Sequence, residues 1–326
     1  MPTTPIPVFV DCDNTMGLPA SEIDDGLTLL YLLGRPEVRI VGLSSTFGNG
    51  PVESTTRQLR LLISMLDVPL PVFPGADEAL VDEPDARARA ARRGESDAAA
   101  ALVRASREHE GSLVVLGLGS LTNIAGAAER DPGFFHRLAG VVVMGGYLAP
   151  LRFAKREVDE LNLSSDPEAS HAVLNAPCPV TVMSAQLCLA ARFGPWDLLA
   201  HNRGPRWLRR LVREWYVAFS RSVGAPGFYL WDLVPAAFVV DRLRFPSAPA
   251  VIRSTVSDLQ SGRLVLEQTG IAGGDLREPG VVSVPRRIER PGRFAAECAS
   301  VWARTALKHT ARSPQRNSPG YPLLRG

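Results

Sequence analysis

The sequence predicts an α/β fold: one domain with an open, mixed but mostly parallel sheet flanked by helices. Three observations predict it. Short β-rich runs alternate with helical patterns along the chain. The internal runs are apolar throughout and bounded by Gly or Pro, as expected of strands covered on both faces. Neither an internal repeat nor a composition break marks a linker, so the 326 residues read as a single unit.

Ile6–Val10 is an apolar run of strand length, and a turn separates it from a helix over Asp25–Leu33. Val38–Ser45 is the second strand. Pro51 opens a helix reaching Leu66, where Leu59, Leu62, Ile63 and Leu66 recur on one face. Leu113–Leu118, Val141–Met144 and Val180–Met183 are further strands, and helices are expected at Ala98–Arg107, Leu121–Arg130, Pro167–Leu174 and Trp207–Ser222. Val251–Val256 and Arg263–Glu267 flank a turn at Ser261-Gly262 and read as a hairpin. Asp82–Asp97, dense in charge and small residues, reads as a mobile surface loop or a short exposed helix. The domain is expected to span residues 1–309. Thr310–Gly326, rich in Pro, Ser, Gly and Arg, is expected to be a disordered tail.

With 45% hydrophobic and 21% charged residues the chain has material for a large core. A formal charge of +2 favours neither nucleic acid nor an acidic membrane as partner. Lys155 and Lys308 are the only lysines, which weighs against lysine catalysis. The four cysteines lack C-x-x-C spacing and predict reduced thiols. The N-terminus has no basic n-region, and no apolar run approaches the roughly 20 residues of a membrane helix. A soluble, cytoplasmic protein is expected.

Chemistry concentrates at the end of the first strand. Val8-Phe9-Val10 runs into Asp11-Cys12-Asp13, and Asp24-Asp25 open the next helix. Ligands of open α/β sheets bind outside the carboxyl ends of the strands. Aspartates gathered there repel one another, and a hard cation such as Ca²⁺ or Mg²⁺ is the simplest neutraliser for oxygen-only ligands. A single Asp at such a place could equally cap the helix; two pairs around one strand end favour the cation.

Two enzyme readings follow. Asp11-Cys12-Asp13-Asn14-Thr15 after an apolar strand resembles the first motif of haloacid-dehalogenase-type phosphatases, in which Asp11 would be the nucleophile. That family also requires a later lysine and a paired-acid strand end, and neither follows. The second resemblance extends over about two thirds of the chain. Asp11-Cys12-Asp13 with Asp24-Asp25-Gly26, Phe47-Gly48-Asn49, Gly117 to Ala125 with its Leu-Thr-Asn-Ile-Ala, Met144-Gly145-Gly146, Glu160-Leu161-Asn162, Asp166-Pro167-Glu168-Ala169 and Trp231-Asp232 stand in order. In this the chain resembles the inosine–uridine-preferring nucleoside hydrolase family.

The resemblance implies a Rossmann-like nucleoside hydrolase fold and hydrolysis of a ribonucleoside to free base and ribose. It implies that Asp13, Asp25 and Asp232, with the backbone carbonyl of Thr122, hold Ca²⁺, and that Asp13 takes a proton from the attacking water. It places Asp24, Asn49, Met144, Glu160 and Asn162 around the substrate, and Tyr229 as a wall of the base pocket. Trp231 stands where many members have a His that protonates the leaving base. A purine-preferring branch also has Trp there, so purines are expected to be favoured. The implied partner is a small nucleoside, with no nucleic acid or membrane, and a homodimer or homotetramer is expected. A relative that binds nucleosides without turnover is the non-enzymatic alternative.

Four departures from the family pattern stand out. The link from Asp13 to Asp24 is longer than usual, through the insert Asn14–Ile23. Position 231 is Trp. Arg92 to Asp97 has no His, and Leu151 to Asp159 has no Asn. His109, His136 and His171 read as solvent-facing, whereas His201 could approach the site. Trp215 and Tyr216 read as helical packing.

Overall fold

The computed structural model describes residues 4–77, 79, 93–200, 203–268 and 275–312. The strands in chain order are β1 (Ile6–Cys12), β2 (Val38–Ser45), β3 (Val72–Pro74), β4 (Val114–Gly117), β5 (Gly140–Met144), β6 (Leu151–Arg152), β7 (Glu157–Val158), β8 (Val180–Met183), β9 (Arg192–Phe193), β10 (Phe228–Tyr229), β11 (Ser247–Ile252), β12 (Leu266–Gln268) and β13 (Val281–Pro285). The helices are α1 (Asp24–Leu33), α2 (Val52–Leu66), α3 (Asp97–Glu108), α4 (Thr122–Arg130), α5 (Pro167–Leu174), α6 (Ala185–Cys188), α7 (Pro195–Ala200), α8 (Arg206–Val223), α9 (Leu233–Val240), α10 (Val256–Leu259) and α11 (Pro291–Arg312).

The central sheet has nine strands in the order β12-β11-β13-β8-β5-β4-β1-β2-β3. Pairing is parallel from β13 to β3, while β11 lies antiparallel to both β13 and β12. The expected mixed, mostly parallel α/β sheet is therefore the observed one. Side chains of β1 alternate between two cores: Val8, Val10 and Cys12 enter one, Phe9 the other. The first core lies under α1, α2, α9 and α11, with Leu27, Leu30, Leu59, Phe238 and Trp302 buried in it. The second lies under α3, α4 and α5, with Leu102, Ile124 and Val173. Two covered faces explain why the strands read as continuous apolar runs.

The topology fixes where a ligand can bind. From β1 the chain crosses to β2 and β3 on one side, then returns to place β4 on the other side of β1. The carboxyl ends of β1 and β4 therefore flank the switch point of the sheet, where a crevice opens. Asp13 follows β1 and Thr122 follows β4 by a short turn, so both sit at that crevice.

Three expectations need correction. β11 and β12 do pair antiparallel, but no tight hairpin joins them. Thr255 and Asp258 form a reciprocal capping box that starts α10 between the two strands. The helix α11 continues through Thr310 to Arg312, because no breaker intervenes before Ser313-Pro314, so the first three residues of the expected tail are helical; residues 313–326 lie outside the described ones. Most of Asp82–Asp97 also lies outside them. Its described end is only partly exposed: Arg93 and Gly94 are buried while Glu95 and Asp97 are exposed, and Ser96 caps α3 by accepting a hydrogen bond from the Ala99 N–H.

Cys12, Cys178, Cys188 and Cys298 are buried, unpaired thiols. Among the described residues no helix is long and apolar enough to cross a membrane.

Candidate active site

A cleft of about 520 Å³ opens at the switch point, lined by Asp24, Asn49, Met144, Glu160, Asn162, Trp231 and Asp232 among others. Arg156 is the one basic residue among its described lining. Below it the acids converge. Single carboxylate oxygens of Asp24, Asp25 and Asp232 lie within 4.8 Å of one another, all three buried. Asp24 and Asp25 come from the first turn of α1, and Asp232 immediately precedes α9. The backbone N–H of Asp232 donates to Asp24 Oδ2 at 3.2 Å, which ties the two helix starts together. Asp13 lies near enough for its charge to raise the carboxyls of Asp25 and Asp232.

Asp13 is fixed by Asn49. The Asn49 N–H donates to Asp13 Oδ2 at 2.7 Å and its side-chain amide to Oδ1 at 3.1 Å. The approach requires Gly48: at φ 150° a Cβ there would stand 2.2 Å from Asp13 Oδ2.

Burial dominates the electrostatics. It pushes the Asp13 carboxyl up to about 7 and that of Asp24 up to about 6, against hydrogen bonds that lower both. Asp25 and Asp232 are raised well above the carboxylate range by burial first, then by the neighbouring aspartates. Asp24 Oδ1 and Asp25 Oδ1 are buried and accept no hydrogen bond. Oxygen-only donors, mutual repulsion and orphaned acceptors at one point suit a hard divalent cation.

The other expected residues occupy distinct places. Glu160 is buried, and its carboxylate accepts from the N–H groups of Gly146, Asn162, Leu163 and Ser164 at 2.9 to 3.1 Å, so it holds its own loop while lining the cleft. Asn162 spends its amide on the Leu118 carbonyl and on Met144, which turns its other face to the cleft. Thr122 does not cap α4; its hydroxyl donates to Asp166 Oδ2 at 2.9 Å. Asp166 in turn caps α5 and receives both arms of Arg93 at 3.1 Å.

The aromatic wall differs from expectation in one respect. Trp231 lines the cleft, but Tyr229 is absent from its described lining and backs Trp231 at a ring separation of 5.1 Å. Trp215 and Phe219 line it instead. Trp215, Ala218, Phe219 and Ser222 recur at helical spacing, so one face of α8 is turned to the cleft. That spacing is visible in the sequence, where it reads as ordinary core packing. Glu22 also lines the cleft and was not anticipated.

Asp11 does not line the cleft. It is buried, and its Oδ1 accepts from Ser44 at 2.6 Å and Asn123 at 2.9 Å. Asp13 and Asp25 are equally buried and absent from that lining, so the phosphatase alternative fails instead for want of a later lysine at a strand end and of a paired-acid strand end. None of the described histidines lines the cleft; His201 lies outside the described residues.

Residues 8–294 match the family model described as inosine-uridine preferring nucleoside hydrolase. The chain is 27% identical over 270 residues to uridine nucleosidase 1 of Arabidopsis thaliana, covering 76% of this chain and 79% of that protein. It is 26% identical over 301 residues to the inosine-uridine preferring nucleoside hydrolase of Crithidia fasciculata, covering 84% and 89%. A solved purine-preferring ribonucleoside hydrolase from Gardnerella vaginalis shares the fold, with a TM-score of 0.76 at 20% identity over 92% of this chain and 99% of that one. The chain belongs to the inosine-uridine preferring nucleoside hydrolase family and is a ribonucleoside N-glycosidase.

Proposed function

We propose that this cleft hydrolyses purine ribonucleosides to base and ribose, with Ca²⁺ held by Asp13, Asp25, Asp232 and the Thr122 carbonyl, and Asp13 as general base. The supporting observation is the convergence of buried aspartates from residues 13 to 232 beside one cleft walled by Trp231. When bound, the cation would offset their repulsion and make water a better nucleophile.

The chain's own residues supply the rest. Asp13, immobilised through both oxygens by Asn49, is oriented to accept a proton from water attacking C1′. The new C–O bond forms as the C1′–N bond breaks, and its electron pair leaves with the base. Surrounding carboxylates favour the positive charge that develops on the ribosyl ring. Asp24, Asn49, Glu160 and Asn162 line the cleft and would hold the ribose hydroxyls. Trp231, Trp215 and Phe219 offer apolar faces to the base, and stacking raises its readiness to accept a proton. A water nucleophile predicts no covalent ribosyl–Asp13 adduct.

Purine and pyrimidine nucleosides scored for free ribose, with and without chelator, test this reading. Inosine or guanosine is expected to turn over faster than uridine, and chelation to abolish release until Ca²⁺ is restored. Uridine turned over equally well or better would overturn the base preference. Nucleoside binding in a calorimeter without base release would favour the non-catalytic alternative. Trp231→Ala is expected to lower kcat/KM for a purine nucleoside by roughly 5- to 150-fold, the range of about 1–3 kcal/mol for base–aromatic stacking. Uridine should lose less; an equal loss for both would make Trp231 a packing residue. Family likeness also supports a homodimer or homotetramer, which light scattering would read.

A further inference from the structure

A purine that leaves C1′ carries the electron pair of the broken bond, and none of the described histidines lines the cleft to meet it with a proton. The one basic residue of the described lining is Arg156. It stands on the β6–β7 hairpin, where Leu151 pairs with Val158 and Arg152 with Glu157. The Phe153 N–H closes the turn by donating to the Arg156 carbonyl at 2.9 Å. This hairpin is seated on the aromatic wall of the cleft. Phe153 packs against Phe219 at a ring separation of 6.4 Å and against Tyr229 at 5.6 Å, and Tyr229 backs Trp231. The Lys155 N–H donates to the Val223 carbonyl at 3.1 Å and its Nζ to the Arg221 carbonyl at 3.2 Å, which ties the turn to the end of α8. Arg156 therefore rises from a fixed backbone beside the rings that face the base.

Its charge is not spent within the protein. Arg156 is exposed, and among the described residues no carboxylate pairs with it; Glu157 beside it is taken by Arg152 at 3.2 Å. A guanidinium keeps its proton at any working pH, so Arg156 cannot be a general acid. It does present N–H donors in a planar fork that fits two acceptors side by side. O6 and N7 of a 6-oxopurine are such a pair, whereas adenine offers N7 beside an amino donor. We propose that Arg156 grips O6 and N7 of 6-oxopurine nucleosides and stabilises the negative charge that departs with the base. As the C1′–N9 bond breaks, its electron pair spreads through the ring toward O6 and N7. The donors are then worth more than against the neutral substrate. No proton leaves Arg156. The water oxygen bonds to C1′, one water proton passes to Asp13, and the freed base takes its proton from solvent.

This deepens the proposed hydrolysis and rests on the base lying against Trp231, Trp215 and Phe219. Arg156→Ala is expected to lower kcat/KM for inosine and guanosine by about 5- to 150-fold, the discrimination given by one two-pronged arginine contact. Adenosine should lose no more than about fivefold. Arg156→Lys keeps the charge without the fork and should recover only part of the inosine rate. A riboside of p-nitrophenol supplies the second readout, because its leaving group already carries negative charge well. Arg156→Ala should stay within about threefold of wild type on it. Equal losses on inosine and adenosine overturn the proposal, as does an Arg156→Ala enzyme with unchanged kcat/KM on inosine. So does a loss on the p-nitrophenyl riboside as large as that on inosine, since Arg156 would then not serve the leaving group. A wild-type protein that releases no ribose from any nucleoside sinks the hydrolase reading. Calorimetry with hypoxanthine and adenine then decides the Arg156 contact by itself: it stands if Arg156→Ala weakens hypoxanthine alone, and falls if both or neither are weakened.

Discussion

Alanine at Asp13 or at Asp232 is expected to cut ribose release by about 10³-fold or more, the upper part of the range for a lost acid–base group, while the protein stays folded. On the proposed mechanism the two substitutions remove different things: Asp13→Ala the base together with a cage oxygen, Asp232→Ala a cage oxygen alone. Their effect on stability should be mild or favourable when no cation is bound. Burial and like charges raise the carboxyls of both residues, so each acid is held in the fold against its own solvation and against its neighbours. Deleting one relieves that repulsion. Urea midpoints measured in chelator should therefore equal or exceed the wild-type value, whereas added Ca²⁺ should stabilise wild type and fail to stabilise Asp232→Ala. Unfolding of both variants would mean that these acids are structural and that the chemistry lies elsewhere.

Arg93→Ala carries the other large effect, on stability: a loss of about 3–5 kcal/mol in urea denaturation is expected. The Arg93 side chain is 6% exposed and meets Asp166, itself 1% exposed, with two parallel hydrogen bonds. Removing the guanidinium leaves a buried carboxylate that caps α5 and receives the Thr122 hydroxyl with no opposite charge beside it. Because Thr122 opens α4 at the crevice, calcium affinity should weaken along with the fold. A variant with unchanged stability would show that Asp166 stays buried without help from Arg93 and that the pairing contributes little.

Much of this was legible because the signals were local. Apolar runs between Gly and Pro marked β1, β2, β5 and β8, and Pro167 marked the start of α5 at its observed residue. Elements lacking a periodic signature escaped. α9, Leu233–Val240, is buried along its whole length except at its last residue, so no polar face betrays a helix. The aspartates of the site were recognisable by type and order, since each ends a strand or begins a helix. Glu22 was not, because its place at the cleft depends on how an irregular insert folds. Arg93 sat in a charged stretch that looked solvated; its partner lies 73 residues away, and sequence patterning has no reach over that distance. Tyr229 and Trp215 exchanged the expected places because which aromatic faces the cleft depends on how β10 and α8 rotate against each other.

The margins of the sheet bear on how copies of this chain can meet. Among the described residues β3 and β12, at its two edges, are each three residues long, and β3 ends in Pro74. So short a border offers few free N–H and C=O groups for another strand to zip onto, and proline removes a donor at one of them. Self-association by extending the sheet across two copies is thereby discouraged, along with the fibrous growth that such templating invites. Any dimer or tetramer has to be stitched from helical and loop surfaces, where the number of subunits stays finite.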